Sequence, residues 1–234
     1  MRDVSTALDI RKNGSLSLAL IAGLAATAIA QESPTPTSTS APGVSPTRIV
    51  RITFVPPPLT GTISLGIYDQ SGKLVRVLQQ EAELNEFTVE ADGLETKWDG
   101  KNENGEGLPV GKYRAHGYAV GCKVDELGTS ARGFPSNATE HVTVKLVANP
   151  LSKKSNLIVD LAIGFDDENC FLKTGDGLPL LTVSENQNLW RAFLVKSGEN
   201  SIDVFQDDGD TIDQFRVSNV NQMMAFDCGE IELK

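Results

Sequence analysis

Apolar and polar residues alternate in short runs from Arg48 onward. In RIVRITFVPPP (Arg48–Pro58), Val50, Ile52 and Phe54 fall on one side of an extended chain, and Ile49, Arg51 and Thr53 on the other. GTISLGIYD repeats the pattern with Ile63, Leu65 and Ile67, and KLVRVLQQ resumes it after the turn DQSGKL, which Asp69 and Gly72 punctuate. ELNEFTVEADGLETKWD, KYRAHGYAVG and EHVTVKLV follow, the last with Val142, Val144 and Leu146 in phase. A period of two sends successive side chains to opposite faces of a strand, and Gly, Asn and Asp between the runs supply turns. Many short strands at this spacing predict an all-β chain built on an antiparallel β-sandwich. After the N-terminal stretch no segment shows the 3.6-residue period of an amphipathic helix.

From Asn149-Pro150 onward the pattern changes. NLIVDLAIGFDDENCFLKTGDGLPLLTVSEN and WRAFLVKSGENSIDVFQDDGDTIDQFRVSN read as two passes of one theme, with Val183-Ser184 and Val217-Ser218 in equivalent places. MMAFDCGEIELK starts like a third pass and stops. The expected organisation is therefore a sandwich over 48–148 and a second, smaller β-rich unit over 149–234.

The N-terminus carries an address. Arg2, Arg11 and Lys12 precede the apolar stretch LSLALIAGLAATAIA (Leu16–Ala30), which ends in the small-x-small pattern that a signal peptidase cuts. Residues 1–30 are expected to be a cleaved leader, with an uncleaved anchor as the alternative. The run is short of the ~20 apolar residues of a span. ESPTPTSTSAPGVSPT, within the linker 31–47, alternates Pro, Ser and Thr and predicts an extended, solvated tether. An exported protein of the periplasm or cell exterior is expected.

Formal net charge is −10 at pH 7. That argues against nucleic acid as a partner, because phosphate binding needs clustered Lys and Arg. The three cysteines, Cys122, Cys170 and Cys228, form no CxxC. Zinc-knuckle and thioredoxin-type sites are therefore unsupported. In an oxidising compartment Cys170 and Cys228 are the pair to bridge, with free buried thiols as the alternative.

TKWDGKNENGEGLPVGKYRAHGY (Thr96–Tyr118) holds the densest set of Gly, Asn and acidic residues. A phosphate loop needs Gly-Lys followed by Ser or Thr and then a helix; Tyr113 follows Lys112 here. An EF-hand loop counted from Asp99 puts Lys101 at position three and Asn104 at position six, where an oxygen ligand and Gly are needed. The remaining reading is a hairpin closing two adjacent strands. Trp98 and Tyr113 face the core, Asp99 binds turn amides, and Gly100 and Asn104-Gly105 accept positive φ. Pro109 precedes the resumed ladder, and Gly111 lets the backbone pass close to its neighbour.

With Tyr68, Asp69 and Gly72 in ISLGIYDQSGKLVRVL and Trp98, Asp99, Gly100, Gly105, Pro109, Gly111 and Tyr113 in WDGKNENGEGLPVGKY, the chain resembles the FlgD-type immunoglobulin-like domain over about residues 48–148. The resemblance implies an Ig-like sandwich used as a spacer, cap or binding module, with no catalytic residues to carry over. The two C-terminal passes are similar to blades of an NHL-like β-propeller, although two blades cannot close a propeller.

Asp166, Asp167, Glu168 and Asn169 form one acidic turn, and Asp207, Asp208, Asp210 and Asp213 another. Clustered hard oxygens make Asp166, Asp167, Asp207, Asp208 and Asp210 candidate Ca²⁺ ligands, against the alternative of solvated turns. The two histidines, His116 and His141, have no partner at ligand spacing in the sequence, and no G-x-S-x-G occurs. Met223 and Met224 beside Phe226 suggest core filling or a sticky surface. The expectation is a non-enzyme without cofactor, working as a structural or protein-interaction module. A carbohydrate-binding module is the alternative, which exposed rings at Trp190 or Tyr118 would favour. A hydrolase using acidic pairs is the third reading.

Overall fold

Alternation at period two becomes strand throughout the chain's described part. The computed structural model describes residues 48–130, 133–152 and 157–234, so the leader over 1–30 and the linker over 31–47 lie outside it. In chain order the strands are β1 (Val50–Phe54), β2 (Thr62–Tyr68), β3 (Leu74–Ala82), β4 (Thr88–Glu90), β5 (Gly93–Trp98), β6 (Gly111–Val120), β7 (Lys123–Ser130) and β8 (His141–Lys145). They continue with β9 (Ile158–Phe165), β10 (Asn169–Thr174), β11 (Pro179–Glu185), β12 (Arg191–Lys196), β13 (Ser201–Asp207), β14 (Ile212–Ser218) and β15 (Met223–Leu233). The one helical element among the described residues is a 3-10 turn, Leu84–Glu86. No helix among them is long and apolar enough to cross a membrane.

The chain is all-β, and its strands pair antiparallel in four sheets, ordered β1-β5-β4, β15-β6-β2-β3, β11-β10-β9-β8 and β12-β13-β14-β7. The second of these is a central layer buried on both faces. On one face Ile63, Leu65 and Ile67 of β2 and Tyr113 and Ala115 of β6 pack with Ile52, Phe54 and Trp98 of the first sheet. On the other, Tyr118, Val120 and Met223 join Leu161, Leu180, Leu194, Ile202 and Val204 of the remaining two sheets and Leu178 of the β10–β11 turn. Ser64 and Gly66, which look solvent-facing in an alternating strand, lie under this second core: Ser64 is buried, and a methyl at Gly66 would meet Leu178 at 3.2 Å.

The expected boundary at 148/149 does not separate two units. All described residues belong to one compact unit. β15, from the far end of the chain, pairs with β6 along Met223↔Val120 to Leu233↔Gly111, and β14 pairs with β7 along Val217↔Val124. The physical reason is the edges. β6 would present one row of unpaired backbone groups and β7 two; β15 covers the first, and β14 pairs one side of β7. Each of the two C-terminal passes does fold as three antiparallel strands, β9–β11 and β12–β14, and each takes its fourth strand from earlier in the chain, β8 and β7.

Glu81 ties the first half to the second. It sits at φ 48°, a left-handed conformation that costs a non-glycine residue energy, and its Oε1 accepts from Thr182 N at 2.7 Å and Thr182 Oγ at 2.6 Å. Its own N–H donates to Ser64 Oγ at 3.2 Å. Loss of a charge-assisted contact of this kind costs about 1.5–3 kcal/mol, so Glu81→Ala is expected to lower the urea midpoint with an unchanged slope. An unchanged midpoint would mean that the two halves are not joined there.

Candidate functional site

The Trp98–Tyr113 segment is not a hairpin between neighbours. β5 lies in the first sheet and β6 in the central one, so the segment carries the chain from one layer of the sandwich to the other. The Trp98 and Tyr113 rings meet edge-to-face at 5.1 Å and close the end of the core between those layers. Trp98 Nε1 donates to Lys101 O at 2.9 Å, and Tyr113 Oη donates to Pro109 O at 2.9 Å. Asp99 Oδ1 accepts from Lys101 N, and Asn102 Oδ1 from Asn104 N and Glu106 N. Gly100 and Gly105 adopt φ of 74° and 77°, as expected for these turns. At Gly111 the expected close approach is absent: an added Cβ would meet nothing within 4 Å. The loop also covers the β3 edge, where Glu103 N donates to Val75 O and Glu103 Oε2 accepts from Val77 N at 2.8 Å. At the other half of the motif, Asp69 Oδ1 accepts from Ser71 Oγ, Ser71 N and Lys73 N, closing the β2–β3 turn that contains Gly72. These bonds hold its carboxyl below the usual carboxylate range, the Ser71 hydroxyl contributing most. Tyr68 is buried and stacks on His116 with centroids 3.7 Å apart.

The acidic turns also bond inward. Asp166 Oδ1 accepts from Glu168 N and Asn169 N and so caps the β9–β10 turn. Asp208 Oδ1 does the same for Asp210 N and Thr211 N. Asp213 accepts from Thr129 Oγ across β14 and β7. Among the described residues no three His, Cys, Asp or Glu side chains gather as a metal site, and Asp167 and Asp210 add no ligand set to their turns. The Cys170–Cys228 bridge is not formed; all three thiols are free. Cys170 packs in the core beneath β15 and Cys228 against the opposite one, which keeps the two sulfurs on different faces of the central sheet. Burial pushes each of the three thiols up to about 12, so they are poor nucleophiles. Met223 and Phe226 fill the two cores, Phe226 stacking on Phe54 at 4.8 Å.

What the structure brings together lies elsewhere. An open groove of about 470 Å³ runs between β12 and the outer face of β8–β10, lined by Glu140, His141, Phe165, Lys173, Asp176 and Arg191 among others. Arg191 is held on three sides. Its Nε donates to Asp207 Oδ2 at 2.8 Å, and its guanidinium carbon lies 4.8 Å from the Phe134 ring centre and 4.7 Å from that of Trp190. Both contacts are within cation–π range. Phe134 in turn packs edge-on to Phe193 at 4.7 Å. The Arg191 hydrogen bond, then the Gly209 amide, keep the Asp207 carboxyl below its ordinary range. Trp190 is 65% exposed, whereas Tyr118 is buried. His141 Nδ1 lies 2.9 Å from Asp160 Oδ2, a pair across β8 and β9 that the sequence did not show.

Arg191 stands directly opposite Asp207 in the β12–β13 register, and counting outward from a three-residue loop centred on Glu199 would have found this pair in the sequence. The His141–Asp160 pair had no such signal, because a long connection separates β8 from β9. No protein-family model, no curated protein and no solved structure matches this chain.

Proposed function

We propose that this chain is an exported, non-catalytic structural or protein-interaction module built on a FlgD-like, Ig-type sandwich. The observation that supports it is how Asp99–Tyr113 is used. The side chains of Asp99, Asn102, Glu103 and Tyr113 bond the chain's own backbone, so the segment richest in candidate ligands serves folding. An interlocked scaffold of this kind holds its loops and edges in place for contact with a partner, here another envelope or extracellular protein. The periplasmic or extracellular setting rests on the leader pattern of residues 1–30. The hydrolase reading has less support, because the buried acids Asp203 and Asp207 are each tied to an arginine.

The test is photo-crosslinking in envelope extract, with a benzophenone residue replacing Leu127 on the sheet-edge strand β7, where the side chain is exposed. A discrete adduct is expected, absent when the same residue replaces the buried Leu194. A chain that yields no adduct and turns over a substrate overturns the proposal. A second reading, carbohydrate recognition, is favoured by one observation, the exposed Trp190 ring against Arg191, a residue that lines a polar groove.

A further inference from the structure

The groove beside β12 has the size, lining and rigidity of a small-ligand site. Only two aromatic side chains among the described residues are exposed, Trp190 and Phe165. Phe165 lines the groove, and Trp190 stacks on Arg191, which also lines it. Pockets for small ligands run from about 300 to 1,000 Å³, and at about 470 Å³ the groove lies within that range.

We propose that the surface formed by Trp190 and Arg191, where Arg191 enters this groove, is a subsite for a neutral, hexose- or pentose-based glycan, with Trp190 as its platform. A pyranose ring is amphipathic. One face presents C–H bonds, and the rim presents hydroxyls that both donate and accept. An exposed indole meets the first requirement, since its flat apolar ring loses water on contact at little entropic cost. Arg191 meets the second. Its Nε is occupied by Asp207 and its guanidinium carbon lies within cation–π range of both the Phe134 and Trp190 rings, which leaves its terminal nitrogens to donate to adjacent hydroxyls. Because the guanidinium is already fixed, little side-chain ordering remains to oppose binding. Glu140 and Asp176 on the groove wall accept hydroxyl protons, and Lys173 donates. Since Arg191 is already paired with Asp207, the wall carries Glu140 and Asp176 against Lys173, a balance that disfavours a uronic acid polymer and leaves a neutral ligand.

The assignment rests on the carbohydrate reading, and its test separates that reading from the protein-interaction one. The chain is run in native gels containing soluble xylan, glucomannan, mixed-linkage β-glucan or dextran, and in gels containing alginate or polygalacturonate. Retardation is expected in at least one neutral gel. Trp190→Ala should weaken it about tenfold or more, as truncation of a central aromatic contact does, and Trp190→Phe should restore part of it. Arg191→Ala should weaken it as well. Because Trp190 is exposed and gives up only its contact with Arg191, its replacement should lower the thermal midpoint by no more than about 2–4 °C. No retardation in any gel, retardation by acidic polymers alone, or unchanged binding by Trp190→Ala overturns the assignment. If no glycan retards the chain while the Leu127 crosslink persists, the protein-interaction reading stands and the glycan subsite falls. If the crosslinked adduct itself is lost in Trp190→Ala without any glycan binding, the groove is a protein-docking face.

Discussion

Replacing Trp98 with alanine is expected to destabilise the chain by about 3–5 kcal/mol, the range for deleting a large buried ring. Trp98 is 1% exposed, its ring packs on Tyr113, and its indole N–H donates to Lys101 O. The substitution removes the plug that closes the core where the chain crosses between layers, and it strands the carbonyl of Lys101. For a domain of this size each kcal/mol shifts the midpoint by about 2–4 °C, so the melting temperature should fall by roughly 6–20 °C. Trp98→Phe keeps the ring and loses the hydrogen bond, and should fall between the two. Thermal unfolding followed by circular dichroism checks the series. A fall of less than about 2 °C for the alanine variant would mean that the segment is not a folding device.

Arg216→Ala is expected to cost about 2–4 kcal/mol, between the loss of charged hydrogen bonds and the breaking of a buried pair. Asp203 is 6% exposed, and its carboxylate accepts from Arg216 Nε at 2.7 Å and Nη2 at 2.9 Å, from Ser197 Oγ at 2.8 Å and from Gln214 Nε2 at 3.2 Å. Burial alone would raise this carboxyl's pKa. The Arg216 and Ser197 hydrogen bonds, the Arg216 charge and Gln214 outweigh it and hold the group below its usual value. The sign of the pH dependence follows from that depression. The contribution is complete above the unfolded pKa, near 3.9, and is lost as pH falls through the lower folded value. Asp227, desolvated but bonded to Arg114 and the Gly229 amide, is depressed in the same way. Stability should therefore be level at neutral pH and drop in the acid range below about pH 4. In Arg216→Ala that acid slope should be shallower. Urea unfolding of both proteins from pH 7 to pH 2.5 is the check; parallel acid slopes would contradict the assignment to Asp203. Arg216→Lys keeps the charge without the two-pronged geometry and should recover part of the loss.

The strands were legible because half-buried β structure writes itself into alternation: Ile52 and Phe54, Ile63, Leu65 and Ile67, and Val142, Val144 and Leu146 are all buried as their phase implies. The turns at Asp69–Lys73 and Asn102–Glu106 were legible too, because their Asp, Asn and Gly have few other uses. What the sequence hid is long-range. Ser64 and Gly66 look like the wet face of β2 and are instead where a second layer approaches. β15 contains a bulge between Asp227 and Gly229, and one extra residue flips every later side chain to the other face. Met223 therefore points to one core and Ile231 and Leu233 to the other, which made the strand look like the start of another repeat. Trp190 could be named from the sequence as a ring whose exposure matters. Its setting could not, because Phe134 arrives from the β7–β8 connection and Asp207 from the facing strand.

Trp98 lies in the end of the molecule that serves folding and Trp190 on the face proposed for recognition, so the chain's two tryptophans report on the two separately. A ¹H–¹⁵N spectrum of the full chain should contain two indole N–H signals, one protected by its bond to Lys101 O and one exchanging freely with water. During titration with the neutral polysaccharide that retards the chain most in native gels, the exchanging signal and the amides around Arg191 should move while the protected signal and the Asp99–Tyr113 amides stay fixed. Movement confined to Asp99–Tyr113, with the Trp190 signal unmoved, would contradict the account.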